Sequence, residues 1–64
     1  MEAKELVLAI RAFGLTQVEV SERTGIPQPT ISKIERGAVE DVMSKSYREL
    51  QALHAELVAK QATA

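Results

Sequence analysis

Gln28, Thr30, Ser32 and Lys33 are the residues whose chemistry calls first for an explanation. They follow Pro27 and share their segment with Pro29, and Gly37 lies just beyond. Amide, hydroxyl and ammonium groups of this kind donate and accept hydrogen bonds. Their chemistry is recognition. Reaction chemistry finds no comparable set. No pair of carboxylates, Ser/His arrangement or glycine-rich phosphate loop is present. There is no Cys and one His, His54, so neither a thiolate centre nor a His cluster can hold a metal. No catalytic residue, metal ligand or cofactor is expected. The bland reading of Gln28, Thr30 and Lys33 is a solvated helix face, and the elements around them decide between the two.

Those elements read as four helices. In residues 2–13, Ala3, Leu6, Val7, Ile10 and Phe13 trace one helical face, and Gly14 stands where a left-handed cap is wanted. Thr16-Gln17-Val18-Glu19 has capping-box spacing, which opens a second helix over 17–24 that buries Val20 and ends at Gly25. Pro27 and Pro29 suit a first helical turn, where the N–H groups have no intrahelical partner. They start a third helix over 28–36, with Ile31 and Ile34 inward and Gly37 as its cap. An acidic connector over 38–43, with Glu40 and Asp41, leads to a fourth helix from Ser44 to about Gln61, capped by Ser44 or Ser46. On it Met43, Tyr47, Leu50, Leu53, His54, Leu57, Val58 and Gln61 fall within about 80° of one direction. The last residues, through Ala64, are expected to fray.

A chain of 64 residues is one domain, residues 1–64, and a marginally stable one. With no disulfide or metal, stability must come from close helix packing, from a partner chain, or from both. A net charge of −1 excludes a polybasic peptide but allows a small basic face. No apolar run approaches the roughly 20 residues of a membrane span, and no signal peptide opens the chain. The expected location is the cytoplasm, with no membrane partner.

The second and third helices, joined by a tight turn, make a helix-turn-helix unit with its core over 16–37. Ser21 is small where two backbones approach, Gly25 supplies the turn, and Ile26 plugs the gap. The first helix of such a pair braces the second so that its exposed face can enter a DNA major groove.

The run from Gly14-Leu15-Thr16-Gln17 through Gly25-Ile26 to Ile31-Ser32-Lys33-Ile34-Glu35-Arg36-Gly37 resembles the phage repressor/Cro-type, or XRE, helix-turn-helix family. The resemblance implies an all-α, compact bundle of four helices with a lambda-repressor-like fold. It also implies a DNA-binding transcription regulator with double-stranded DNA as its partner; a homodimer is expected from the apolar stripe of the fourth helix. Carried over by position, Gln17 contacts a phosphate. Gln28, Pro29 and Thr30 meet base edges or adjacent phosphates. Ser32 and Lys33 lie further along the exposed side, Arg36 is a further phosphate candidate, and Ser44, Lys45 and Ser46 are the candidates to meet the backbone from the start of the fourth helix. Gln28 can bond adenine in bidentate fashion, and Lys33 can donate to guanine O6 and N7. The family's Arg position, four residues before Gly14, holds Ile10, with Arg11 beside it. The register therefore calls the family's ion pair to Glu35 into question.

The long apolar stripe of the fourth helix exceeds what three short helices cover. Met43, Tyr47 and Leu50 are expected to be covered. Leu53, His54, Leu57 and Val58 are expected at a dimer surface, with a closed monomeric core as the alternative. The rival function is a protein-interaction module, such as the antitoxin of a toxin–antitoxin pair, which would bring a protein partner.

Overall fold

The computed structural model describes residues 1–39 and 41–63. Its helices are α1 (Ala3–Arg11), α2 (Gln17–Thr24), α3 (Gln28–Glu35) and α4 (Ser44–Thr63), and among the described residues there is no strand. The expectations on Glu40 and Ala64 lie outside the described residues.

Each short helix is held by the devices its sequence encodes. In α1 the apolar face buries Ala3, Leu6, Val7 and Ile10. The helix stops before half-buried Phe13, in a turn closed by the Gly14 N–H donating to the Arg11 carbonyl at 2.9 Å. At the start of α2 the capping box is complete. The Glu19 N–H donates to Thr16 Oγ1 at 3.1 Å, and the Thr16 N–H donates to Glu19 Oε1 at 3.0 Å. At the end of α3 the Gly37 N–H donates to the Ile34 carbonyl at 3.0 Å, and the Ala38 N–H to the Lys33 carbonyl at 2.9 Å. Those two bonds form a Schellman motif, which turns the chain away from the recognition segment.

The turn between α2 and α3 is tied more tightly than its spacing suggests. Gly25 sits at φ +75° with its N–H bonded to the Ser21 carbonyl at 2.8 Å. Ser21 Oγ donates to the Ile26 carbonyl at 2.5 Å, so the small residue at the helix crossing also holds the turn. Thr24, which no sequence signal singles out, is buried. Its hydroxyl donates to the Val20 carbonyl at 2.7 Å and accepts the Ile26 N–H at 3.3 Å. Ile26 itself is buried in the core. A Cβ added at Gly25 would meet no atom within 4 Å, so the cost of a side chain there is conformational. Gly25→Val is expected to lose more than about 1 kcal/mol, because β-branched residues are disfavoured at positive φ. A thermal melt followed by circular dichroism should fall by at least roughly 4 °C. An unchanged melt would show that the turn tolerates another backbone conformation.

Ile10, Ile31, Leu50, Val7 and Val20 are the largest fully buried side chains, drawn from all four helices. The long helix α4 packs along α1 and supplies Leu50 and Leu53 to this core, with Tyr47 and Leu57 partly buried against it. The Tyr47 hydroxyl donates to the Met1 carbonyl. Three expectations are corrected. Met43 is 72% exposed, because α4 begins after it, at Ser44. Ser44 stands inside the first turn of α4, where the Met43 carbonyl accepts the Tyr47 N–H at 2.9 Å. The helix continues to Thr63, past Gln61, since no Gly or Pro interrupts that stretch.

Candidate nucleic-acid interface

The exposed side of α3 is built by subtraction. Ile31 and Ile34 commit one face to the core. At 100° per residue Pro29, Lys33 and Arg36 then fall about 140–200° away from Ile31, and all three are exposed. Thr30 and Ser32 flank them, half-buried. Gln28 is exposed on the first turn, just beyond Pro27, whose carbonyl accepts the Thr30 and Ile31 N–H groups at 2.9 and 3.1 Å. Ser44 and Lys45 stand exposed on the first turn of α4. Among the described residues no ion pair neutralises Lys33, Arg36 or Lys45.

The structure brings two of the expected contact residues together. Gln28 Nε2 donates to Gln17 Oε1 at 3.0 Å, across the space between α3 and the start of α2. Gln17 Nε2 in turn donates to Glu35 Oε1 at 3.4 Å. Gln17 is half-buried, so it links the two helices as well as standing at the helix start expected to meet phosphate.

The ion pair questioned from the register is present. Arg11 Nη1 donates to Glu35 Oε1 at 2.8 Å and to Oε2 at 3.0 Å, and Arg11 Nε donates to the Leu15 carbonyl at 3.2 Å. The long arginine stem makes up the one-residue offset, which leaves the Ile10 position free to be fully buried. Hydrogen bonds from Arg11 hold the Glu35 carboxyl below its ordinary value against the opposing effect of burial, and Gln17 adds to the lowering. The adjacency of Arg11 to the family position was the available signal. Because Arg11 balances Glu35, Lys33 and Arg36 are the uncompensated charges of the α3 segment.

On α4 the expected dimer residues divide. Leu53 is 4% exposed and belongs to the core of the single chain, where α1 and α2 both pack against α4. His54 is half-buried and meets Phe13 edge to face, with ring centroids 6.4 Å apart at 68°. Leu57 is half-buried, while Val58 is 44% exposed. The uncovered strip is therefore narrower than the stripe and lies on its His54–Val58 side. No helix of the described residues is long and apolar enough to cross a membrane. Among those residues no group of three or more His, Cys, Asp or Glu could hold a metal ion.

Comparison with known proteins agrees with this geometry. A family model described as helix-turn-helix matches residues 7–57, from mid-α1 to the last third of α4. Protein P2 of Acyrthosiphon pisum secondary endosymbiont phage 1 is 43% identical over 53 residues, a match covering 83% of this chain. The match covers 56% of that phage protein's own length, so this chain spans a little over half of it. No solved structure matches the chain.

Proposed function

The chain belongs to the XRE-type helix-turn-helix family, and from that premise we propose that it is a sequence-specific repressor that binds an inverted-repeat operator as a homodimer. The observation that carries the reading is the outward face of α3. Gln28, Pro29, Lys33 and Arg36 are exposed on a helix whose opposite face is locked into the core by Ile31 and Ile34. A rigid helix presenting an amide and two cations fits the major groove, where the amide reads a base edge and the cations meet phosphates. Gln17 at the start of α2, with Ser44 and Lys45 at the start of α4, sets the register on the backbone. A bound dimer blocks polymerase by occupying the promoter and performs no chemistry.

The dimer is assigned to the His54, Leu57 and Val58 side of α4, beside Phe13. Twofold symmetry then sets two α3 helices about 34–36 Å apart, one turn of DNA. With a net charge of −1, and Lys33 and Arg36 as the uncompensated cations of the α3 segment, non-specific affinity is modest, and tight binding depends on engaging both half-sites.

Selection of bound sequences from a random duplex pool tests the reading directly. It should return an inverted repeat with half-sites about one helical turn apart. Gln28→Ala should relax preference at one position of each half-site by roughly 1–3 kcal/mol. A uniform loss of affinity with the selected motif unchanged would remove Gln28 from base reading. A chain with no salt-dependent DNA binding at low ionic strength would instead favour the protein-interaction module.

A further inference from the structure

The hydrogen bonds joining Arg11, Glu35, Gln17 and Gln28 run in one direction, and we propose that this direction makes Glu35 a positioning residue that sets Gln28 to read adenine and denies it guanine. The proposal rests on α3 being the recognition helix. Glu35 lies two helical turns along α3 from Gln28 and needs no contact with the base.

The argument starts from donor and acceptor capacity. An ionised carboxylate only accepts, whereas a glutamine amide offers two N–H donors at one end and an acceptor at the other. Arg11, bonded to both carboxylate oxygens, keeps Glu35 in its accepting form. Gln17 must therefore turn Nε2 towards Glu35, and does so at 3.4 Å. That leaves Gln17 Oε1 facing α3, where it accepts Gln28 Nε2 at 3.0 Å. Gln28 is left with one N–H and its Oε1. Adenine presents an N7 acceptor and an N6 donor in the major groove, the complement of that pair. Guanine presents two acceptors, N7 and O6. To meet both, Gln28 would need both N–H groups and would have to abandon Gln17. Reversing both amides instead would set Gln17 Oε1 against the Glu35 carboxylate, acceptor against acceptor. With the relay intact, guanine costs a hydrogen bond that adenine does not.

The test compares two duplexes that differ only in A·T or G·C at the pair that Gln28→Ala marks as its own. The parent should prefer adenine by at least about fivefold. Glu35→Gln replaces a fixed acceptor by an amide that can offer either end, so the relay loses its direction. The A-to-G ratio should fall at least about threefold, with salt dependence unchanged. Loss of the Arg11 pair can loosen the fold, so Gln17→Met is the second variant. It keeps the side-chain length, removes the Gln17 bonds to Glu35 and to Gln28 while leaving the Arg11–Glu35 pair in place, and leaves Gln28 free to turn. Its overall affinity should drop through the lost phosphate contact, and its ratio should fall as for Glu35→Gln. Circular dichroism melts establish which variants are folded. A parent preference for guanine, or a folded Gln17→Met variant that binds both duplexes more weakly but keeps the parent ratio, overturns the proposal. If Gln28→Ala marks no position at all, the recognition-helix reading fails first and takes this one with it.

Discussion

Val58→Glu is expected to leave the fold intact and to weaken operator binding by about 10²–10⁴-fold, the usual gain from linking two binding modules. Val58 is 44% exposed in the single chain, so a carboxylate there can be hydrated without opening the core. In a dimer paired through this side of α4, the same carboxylate would be buried opposite its own copy, which is costly for both charges. Leu57 is a poorer probe. It packs against the core, so a charge there destabilises a monomer and a dimer alike. Sedimentation of the parent and the variant, with binding to one half-site and to the full inverted repeat, checks the expectation. The variant should sediment as a folded monomer and bind the full repeat scarcely better than the half-site. Parent-like affinity in folded Val58→Glu would move the dimer surface elsewhere. A parent that stays monomeric, free and on DNA, would remove it.

Leu50→Ala should be the most damaging single change to stability. Leu50 has no exposed surface and stands where α4 meets the core of the three short helices. Truncation of a buried leucine costs about 2–5 kcal/mol, the spread depending on how far the site collapses. A domain of this size has roughly 3–10 kcal/mol in total, at about 0.05–0.15 kcal/mol per residue. The variant should therefore melt at least roughly 10 °C below the parent, or be unfolded at room temperature. DNA binding should disappear with it, since a two-turn helix such as α3 does not persist without its neighbours. A melt within about 3 °C of the parent would mean that α4 is not needed to close the core.

Much of the architecture is written locally. Thr16 and Glu19 define the start of α2, Pro27 and Pro29 the start of α3, and Gly25 and Gly37 the two exits, because caps and positive-φ turns depend on residues within one turn of each other. The apolar spacing of α1 likewise names its buried face before any partner is known. The identity of the exposed α3 residues follows from the same periodicity, since Ile31 and Ile34 claim one side and leave Pro29, Lys33 and Arg36 the other.

What periodicity could not rank is set by contacts between elements distant in the chain. Leu53 and Val58 lie on one stripe, yet the first is 4% exposed and the second 44%, because they stand about 140° apart at its opposite edges and the short helices close over one edge only. Met43 shares the phase of the stripe but precedes the helix, so phase had no meaning there. Arg11 reaches Glu35 across 24 positions of sequence, and the flexibility of its stem makes a register argument too strict. The Gln17–Gln28 bond is of the same kind. Each residue alone reads as a polar contact, and their coupling exists only where the α2–α3 turn brings the two helix starts together.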